Sequence, residues 1–454
     1  MNETGNTTIN CDIPLAEAAT AEGFCAEVIP VTLDRPRSIL SVTKDEFLVF
    51  QRGNDGEVMR VFDSDGDGVP DEAVPIGARG GNHGLAYRDG YVYTSSDAVV
   101  WRWRYDLGQS SVYDEEKETV VVNVDKDGQG GAPNGHTTRT LIFDDQGRLY
   151  ISVGSAGNVD EDSHRSRIRR LVLPGNDGDG GSNGLPLDFQ TAEVFADGLR
   201  NEVGLGFDRH GVLWGVENGA DRLMREDLGG DIHNDNPGEE LNRFPESMVG
   251  SHWGYPDCWS EYLLDDSVAL GRGTQWAWPS KPVSDAECRN NRVPSELSMQ
   301  AHSAPLGIVF YNYTSTRSEG CSGAFPESMD GYAFIAFHGS WNRDIPTGYK
   351  VVYVPMTKDG FVNATDPIDL LYRNSSETSV KWNSGYRPVD VDFDECGRLL
   401  VTSDGTNGRG SNVVRIAFEN SFCCYSNNAS TGATINASST AGMLLIFLLS
   451  QICF

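Results

Sequence analysis

Short runs of alternating apolar and polar residues recur along the chain, and six of them share one pattern. In each copy a first run leads into a turn, often of the Asp-x-x-Gly type, and a second run follows. Alternation with a period of two is typical of strands with one buried face, and a glycine turn between two such runs predicts a β-hairpin. The copies are Ser41–Gly53, His83–Ser96, Thr140–Gly154, Gly204–Gly219, the divergent Met329–Ser340, and Val389–Asp404. No long segment has the 3.6-residue period of an amphipathic helix, so the pattern predicts an all-β protein.

The spacing of the copies indicates how the hairpins are arranged. Six units over about 400 residues give about 60 to 70 residues each, which suits four-stranded blades around an axis. We therefore predict a six-bladed β-propeller, with a pair of β-sandwiches as the alternative. The 51 glycines agree with a propeller, because tight turns need positive φ and blades crowd near the axis. The longest interval between copies, Ala220–Gln300, predicts long loops on one face.

Changes in composition set the predicted domain boundaries. We expect an N-terminal extension over 1–30 that is disulfide-linked or flexible, the propeller over 31–420, a Ser/Thr/Asn-rich spacer over 421–440 and a hydrophobic tail over 441–454. The tail has about a dozen apolar residues, fewer than the roughly 20 that a membrane-spanning helix needs. A small polar spacer before such a tail is typical of a glycosylphosphatidylinositol (GPI) anchor signal, with a frayed hydrophobic end as the alternative.

Sequons indicate the secretory pathway, because Asn-x-Ser/Thr sites are glycosylated only in a secretory lumen. They occur at Asn2, Asn6, Asn312, Asn363, Asn374, Asn428 and Asn436. The N-terminus has no basic n-region and no apolar h-region, so we expect that the start is truncated or misassigned and that the signal peptide is missing. The predicted location is extracellular or at the cell surface, with contact to the membrane only through the lipid anchor.

The cysteines agree with that location. The chain has nine, and cleavage of the tail would remove Cys453 and leave an even number. No CxxC pair occurs, which disfavours a zinc site and allows disulfides. Connectivity cannot be read from the sequence, and the pairs favoured by proximity are Cys11 with Cys25 and Cys258 with Cys288.

The charge of the chain restricts its partners. With 36 Lys and Arg against 66 Asp and Glu, the formal net charge is −30. A surface this acidic repels phosphate backbones and anionic lipid headgroups, so nucleic acid is excluded as a partner and cations are favoured.

Against this acidic background, several loops beside apolar strands carry a His or an Arg flanked by glycines. In a propeller such loops converge at the top of the channel, where ligands bind. The candidates are the imidazoles of His136, His302 and His338 and the guanidinium groups of Arg200, Arg343 and Arg387. Imidazoles can act as bases near neutral pH, and guanidinium groups suit carboxylates. His302 is more often a wall residue in such a position than a catalyst. The set predicts a small, flat ligand with several negative charges.

Five segments together resemble the signature stretches of the soluble quinoprotein glucose/sorbosone dehydrogenase family, which includes the pyranose dehydrogenases. They are GHTTRTLIF, GLRNEVGLGF, AHSAPLG, HGSWNR with GYKV, and GYRPVDV, and the resemblance extends from about Arg35 to Phe418. It implies a six-bladed propeller that holds pyrroloquinoline quinone (PQQ), a tricarboxylate ortho-quinone, beside a calcium ion. It also implies oxidation of an aldose, a pyranose or a sorbosone-like sugar, with hydride passing to the quinone carbon C5.

The same resemblance implies catalytic roles for residues in two of these segments. His136 matches the general base that takes the proton from the substrate hydroxyl. Arg200 and Asn201 match residues at the reactive quinone carbonyl, where a cation stabilises developing charge. The chain has no haem-attachment CxxCH motif, so we expect the electrons to pass to an external acceptor, a cytochrome or a quinone.

Further residues match positions that hold the cofactor and its metal in the family. His338 and Arg343 lie in the stretch that contributes a cationic cofactor contact, and Arg387 matches a carboxylate-binding arginine. Asn236 and Pro237 match the residues whose backbone carbonyls hold the cofactor's calcium, which acts there as a Lewis acid on the quinone.

The chain also departs from the glucose dehydrogenases at three positions. They carry an Asp immediately before the catalytic His and another on the next strand, where this chain has Gly135 and Ser155. An arginine two residues before the position of Arg387 is here Gly385. These differences argue against glucose as the substrate more than against catalysis.

A separate acidic loop predicts a structural calcium site. Asp63, Asp65, Asp67 and Asp71 occupy positions 1, 3, 5 and 9 of a calcium-binding loop pattern, with Gly68 at position 6. Position 12 is Val74, so the usual bidentate carboxylate is missing. The alternative is a solvated acidic turn.

Two other functions remain open at this point. The first is a non-catalytic extracellular propeller that binds a protein or glycan partner, as in the hedgehog-interacting proteins, and the intact basic pocket argues against it. The second is a calcium-dependent lactonase propeller, which would need a carboxylate-rich channel instead of the His and Arg loops.

Overall fold

A computed structural model of the chain describes residues 13–53, 55–77, 79–109, 117–125, 135–161, 165–174, 184–374 and 380–419. Within these residues, six sheets of four or five strands follow one another along the chain, and the first four strands of each form an antiparallel series. The first strand of each sheet contacts the first strands of the sheets on either side, and blade 6 contacts blade 1 in the same way. The predicted all-β class and the six-bladed propeller are therefore confirmed.

Each blade is built mainly from strands that follow one another along the chain, and four strands from elsewhere in the chain complete blades 2, 3, 5 and 6. Blade 1 consists of Pro36–Thr43, Glu46–Gln51, Glu57–Phe62 and Glu72–Pro75; blade 2 of Leu85–Arg88, Tyr91–Ser95, Val100–Arg104, Glu118–Val122 and Leu187–Asp188; blade 3 of Leu141–Phe143, Arg148–Val153, Arg167–Val172, Glu193–Asp197 and Ser251–His252; blade 4 of Glu202–Phe207, Leu213–Glu217, Glu239–Phe244 and Leu297–Met299; blade 5 of Pro305–Phe310, Ala333–Phe337, Lys350–Val354, Ile368–Arg373 and Ala18–Thr20; blade 6 of Pro388–Phe393, Leu399–Thr406, Arg409–Phe418 and Phe24–Val28.

The remaining described elements are short. They are the paired strands Met224–Arg225 with Gly230–Asp231 and Cys258–Ser260 with Gln275–Ala277, the α-helix Asp285–Asn291, and the 3-10 turns Phe189–Thr191, Glu226–Leu228, Glu246–Met248 and Glu327–Met329. Most of them lie within 220–300, where long loops were predicted. The same interval also contains the two outer strands of blade 4, so the prediction of loops alone was wrong there.

The six sequence copies fall on the inner part of the blades. Four of them, in blades 2, 3, 4 and 6, each span the hairpin of the first two strands. The copy Ser41–Gly53 begins only near the end of the first strand of blade 1. The divergent copy Met329–Ser340 contains only the second strand of blade 5, because the first strand, Pro305–Phe310, lies more than 20 residues upstream.

The N-terminal part of the chain closes the ring, and this corrects the predicted boundary at residue 31. Phe24–Val28 pairs antiparallel with the last strand of blade 6, with Phe24 opposite Phe418 and Val28 opposite Val414. Ala18–Thr20 adds an outer strand to blade 5. Residues 18–28 are therefore part of the propeller and not of an extension before it. The predicted spacer over 421–440 and tail over 441–454 lie outside the described residues.

The core lies between neighbouring blades. Between blades 4 and 5, for example, Val216 and Leu241 pack against Ile335 and Val352, and all four are fully buried. Each such side chain contributes roughly 1.5–3 kcal/mol to stability. Near the axis the first strands approach too closely for side chains: a Cβ on Gly204 would lie 3.0 Å from the backbone of blade 5. The predicted crowding of small residues at the axis is thus present in the structure.

Two disulfides join described cysteines. Cys258–Cys288, one of the predicted pairs, fastens the α-helix to the hairpin before it. Cys321–Cys396, which was not predicted, links blade 5 to blade 6. Cys25 is also disulfide-bonded, and Cys11, its predicted partner, lies outside the described residues.

Among the described residues, no helix is both long and apolar enough to cross a membrane.

Candidate functional site

Loops from blades 3 to 6 meet at one end of the propeller axis and enclose a cavity of about 370 Å³. These loops lie just before the first strand or just after the second strand of a blade, so the repeat itself brings them together. The cavity is lined by Gly135, His136, Gly157, Asn158, Arg200, Asn218, Gly219, Asp221, Glu239, His302, Ala304, Leu306, His338, Gly339, Trp341, Asn342 and Arg387. Its volume lies in the range of pockets that bind cofactors and small molecules.

The structure brings several of the predicted site residues to this wall. His136, Arg200, His338 and Arg387 all line the cavity, and so does His302.

Other predicted residues lie behind the wall or away from it. Asn201 is buried, and its side-chain amide donates to the Asn218 side chain in the wall over 3.1 Å. Arg343 pairs with Asp235 at 3.0 Å instead of lining the cavity. Asn236 and Pro237 are buried behind the wall, where the Asn236 side chain binds the backbone of the 262–263 segment.

His136 is held in one orientation by the strand that follows it in space. Its Nδ1 lies 3.0 Å from both the carbonyl oxygen and the hydroxyl of Ser155. The Ser155 hydroxyl donates its own proton to the carbonyl of Gly157, so Nδ1 must be the donor to Ser155. Nε2 of His136 therefore carries the lone pair that a general base needs.

The surroundings of His136 also set its charge. Burial, followed by the positive charge of Arg200, lowers the pKa of His136 to about 3. The imidazole is consequently neutral at physiological pH and ready to accept a proton. Among the described residues, the hydrogen-bond partner of Nδ1 is Ser155 and not a carboxylate.

Gly154 separates His136 from Asn201 and fixes their spacing. A Cβ at this position would lie 2.4 Å from the Asn201 side-chain oxygen and 2.7 Å from Cβ of His136. Any side chain here would force one of the two residues to move. The close approach of both predicted site residues to position 154 thus depends on glycine.

Arg200 is fixed in the wall by a full set of acceptors. Its guanidinium group pairs with Asp221 at 3.0 Å and donates to the backbone carbonyls of Asn158 and Asn218. The Asp221 carboxylate also accepts a hydrogen bond of 2.6 Å from Asn342, and it lies 3.6 Å from Nδ1 of His302. Asp221 is therefore the centre of the polar network on this side of the cavity.

Buried glutamates hold the backbone of Arg200 in place. The carboxyl group of Glu217 accepts the backbone N–H of Arg200 at 2.5 Å. Glu217 and Glu202 both bind the side chain of Asn242 and also hydrogen-bond to each other. Burial, with repulsion from Glu240, raises the pKa of both groups well above its usual range. Burial thus favours the protonated, neutral form of these two carboxyl groups behind the GLRN segment.

A second guanidinium group in the cavity wall, that of Arg387, has different partners. Arg387 donates to the carbonyls of His338 and Gly339 and lies over the ring of Tyr349. Over the described part of the chain, no carboxylate forms an ion pair with it. His338 next to it donates from Nδ1 to the carbonyl of Pro388, and burial lowers the pKa of His338 to about 4, so it is neutral.

Two of the departures from the glucose dehydrogenases are enforced by packing. A Cβ on Gly135 would lie 2.6 Å from the backbone of Ala156, so the wall has no room for an aspartate before His136. Gly385 has a φ of +86°, and its Cβ would lie 2.8 Å from the carbonyl of Arg409. At these two positions the backbone of this protein therefore leaves no room for the side chains that the glucose dehydrogenases carry.

The acidic loop of blade 1 lies elsewhere in the propeller. Ligand atoms of Asp63, Asp65 and Asp67 lie within 4.8 Å of one another. Asp71 is not part of this cluster; its carboxylate accepts hydrogen bonds from the backbone and hydroxyl of Ser64. A structural calcium ion at this loop stays a prediction.

Sequence reasoning missed the acidic and amide members of the wall. Asp221 follows the second strand of blade 4, Glu239 lies two residues after the predicted calcium ligand Pro237, and Asn342 lies in the HGSWNR segment. A search for polar residues directly after the second strand of each copy would have identified Asp221. Burial raises the pKa of Glu239 to about 8, although it accepts the backbone N–H groups of Gly219 and Ala304.

A larger cavity of about 640 Å³ follows the axis between the first strands. It shares Leu306 with the site cavity but contains none of the predicted catalytic residues. We therefore assign it to the central channel of the fold.

Comparisons with known proteins cover nearly the whole propeller. A family model described as TrAA12-like matches residues 18–410. The chain is 32% identical over 429 residues to a pyrroloquinoline quinone-dependent sugar dehydrogenase of Hypocrea jecorina (strain QM6a), a match that covers 88% of this chain and 90% of that protein.

Two solved structures are similar in fold and sequence. The calcium structure of the Trichoderma reesei carbohydrate-active enzyme of family AA12 has a TM-score of 0.74 and 29% identity, covering 91% of this chain and all of that one. The holo form of the pyranose dehydrogenase PQQ domain from Coprinopsis cinerea has a TM-score of 0.71 and 27% identity, covering 89% of this chain and 98% of that one. The region matched by the family model includes every residue of the cavity wall.

Proposed function

Because the chain belongs to the TrAA12-like family of pyrroloquinoline quinone-dependent sugar dehydrogenases, we propose that it is a PQQ- and calcium-dependent enzyme that oxidises an aldose, a pyranose or a sorbosone-like sugar. The observation that carries the proposal is Arg387. The guanidinium group of Arg387 lines the cavity and forms no ion pair with a carboxylate among the described residues, although the charge of Asp404 lies near enough to interact with it; such a group favours an anionic ligand at that point.

The residues of the wall fit a flat tricarboxylate. Arg387 and Arg200 supply positive charge to the wall. His136 and His338 are neutral and add no further positive charge. The Asn342 side-chain oxygen is buried in the same wall and has no hydrogen-bond partner among the described residues, which agrees with a ligand or metal contact there. PQQ would be held by Arg387, Arg200 and the loop of His338, with Asn201 next to Arg200.

When bound, the quinone supplies the acceptor for the hydride that leaves the sugar carbon, at its carbon C5. The chain itself contributes the base: Nε2 of His136 takes the proton of the sugar hydroxyl as the carbonyl forms. The backbone and hydroxyl of Ser155 keep Nδ1 protonated during this step. Arg200, held by Asp221 and by backbone carbonyls, keeps a fixed positive charge beside the reacting atoms.

Calcium is part of the proposal as the ion that polarises the cofactor. Calcium takes oxygen ligands, and the wall offers the carboxyl groups of Asp221 and Glu239 besides the unpaired Asn342 oxygen. The carbonyls of Asn236 and Pro237 remain the ligands implied by family resemblance, although neither residue lines the cavity.

We further propose a secreted or cell-surface enzyme, GPI-anchored, that passes its electrons to an external acceptor. Two observations support an oxidising, secretory compartment. Disulfides join described cysteines in two places, and the sequon asparagines Asn312, Asn363 and Asn374 are all exposed.

The test measures cofactor binding and activity separately. Purified protein is titrated with PQQ in the presence of calcium by calorimetry, and sugar-dependent reduction of an acceptor dye is then followed with a panel of aldopyranoses. We expect saturable binding, turnover of at least one sugar, loss of turnover on chelation of calcium, and weaker cofactor binding in Arg387→Ala. Absence of cofactor binding would instead support a propeller that binds a protein or glycan.

A further inference from the structure

One side chain at the cavity is exposed in a way that packing does not explain. Trp341 lines the cavity, yet 68% of its surface is accessible, the highest fraction of any aromatic residue in the described part of the chain. Burial of an aromatic side chain stabilises the folded state, and an exposed side chain does not contribute this stabilisation. Large exposed apolar groups at a polar rim are typical of a binding surface.

The exposure of Trp341 does not come from a loosely held loop. Ser340 and Thr347, at the two ends of the loop, join through two hydrogen bonds of 2.9 Å. The tip is tied to the neighbouring loop of blade 4 by two hydrogen bonds between Asp344 and Asn234 and by the ion pair of Arg343 with Asp235. The indole is thus presented by a backbone that is fixed at both ends and in the middle.

The same loop is fixed relative to the catalytic groups. Asn342, the residue after Trp341, donates to Asp221 over 2.6 Å, and Asp221 holds the guanidinium group of Arg200. The apolar surface of Trp341 therefore lies at the rim of a cavity whose interior is polar. Only one step along the chain separates Trp341 from Asn342, which binds Asp221.

This combination matches the chemistry of a sugar ring. A pyranose has an apolar face of C–H groups and a rim of hydroxyl groups, so it can place the face on an aromatic ring while the rim makes hydrogen bonds. We propose that Trp341 is the platform on which a pyranose ring lies while its hydroxyl is presented to His136, so that the loop selects closed six-membered sugars over open-chain polyols. This inference rests on the proposed function and names how its substrate class is recognised.

The test compares three variants loaded with PQQ and calcium. Trp341→Ala should raise KM for the pyranose that the wild-type protein oxidises fastest about tenfold, since about 1.4 kcal/mol of contact corresponds to a factor of ten. Its kcat and its affinity for PQQ should stay within about twofold. Trp341→Phe should retain most of the affinity. Ile345→Ala is the matched control, because Ile345 lies on the same loop, is 66% exposed and does not line the cavity; its KM should be unchanged.

A second measurement follows binding without turnover. Indole fluorescence of the cofactor-free protein should change on titration with the same pyranose, and the change should be missing in Trp341→Phe and in titrations with sorbitol. The platform is refuted if Trp341→Ala oxidises the pyranose with wild-type KM, or if pyranose and open-chain polyol lose affinity equally. If the wild-type protein neither binds PQQ nor oxidises any pyranose, the proposed function fails and this role fails with it.

Discussion

Replacing Asp221 by asparagine tests the polar network of the site. The change keeps the shape of the side chain but removes the negative charge that pairs with Arg200 at 3.0 Å. Only 7% of the Arg200 side chain and 14% of the Asp221 side chain are exposed. Removing one partner of such a buried pair costs about 3–5 kcal/mol, because the other charge stays buried without compensation.

The size of this effect can be converted into a melting temperature. Unfolding entropy is about 2.1 cal/mol/K per residue near 60 °C, so about 400 folded residues give about 0.84 kcal/mol/K. A loss of 3–5 kcal/mol then lowers Tm by about 4 to 6 °C. In the cofactor-bound protein we expect at most half of that loss, because the carboxylates of PQQ would supply negative charge to Arg200 in place of Asp221.

Scanning calorimetry of the wild-type protein and Asp221→Asn, each with and without PQQ and calcium, measures both effects. Asp366→Asn is the control, since Asp366 pairs with Arg272 on the surface, where both side chains are more than one-third exposed; surface pairs contribute about 0–1 kcal/mol. If Asp221→Asn has the same Tm as the wild-type protein, Arg200 does not depend on Asp221. If PQQ and calcium leave the loss of Tm unchanged, Arg200 does not face the anionic cofactor.

Two further predictions concern His136. Gly154→Ala should lower kcat at least tenfold with little change in cofactor affinity, because the new Cβ would lie within 2.7 Å of both His136 and Asn201; wild-type kcat would show that their spacing is unimportant. Burial lowers the pKa of His136 to about 3 from its usual 6.5, so the unfolded chain binds the proton more readily and folding becomes less favourable as pH falls below about 6.5. At pH 5 the resulting loss of folding free energy is about 2 kcal/mol. Between pH 7 and pH 5, the Tm of cofactor-free His136→Gln should therefore fall less than the wild-type Tm. Equal decreases in the two proteins would contradict a buried neutral imidazole.

Much of the architecture could be predicted because it repeats. The hairpin pattern places a loop at the same end of every blade, so His136, Arg200 and Arg387 had to converge once the propeller was recognised. The type of these side chains then predicted an anionic ligand without knowledge of any contact. The confirmed disulfide Cys258–Cys288 was accessible for a similar reason, since its two cysteines are near in sequence.

Contacts between distant segments could not be predicted. Phe24–Val28 completes blade 6 by pairing with strand Arg409–Phe418, and no local pattern identifies which blade a terminal strand joins. Arg343 looked like a cofactor ligand, but Asp235 in another loop lies close enough to pair with it. Choices of this kind depend on how long loops fold over one another, which neither periodicity nor spacing determines.

The most direct test of the central claim is a single-turnover experiment without an external acceptor. Wild-type protein and His136→Asn are loaded with PQQ and calcium under anaerobic conditions, mixed rapidly with a pyranose that the enzyme oxidises, and the absorbance of the quinone is recorded. The account predicts that both proteins bind the cofactor, that the wild-type quinone is reduced in one exponential phase, and that the variant is at least about a hundredfold slower, as expected for loss of a general base. Equal rates in the two proteins, or an unchanged quinone spectrum in the wild-type protein, would contradict it.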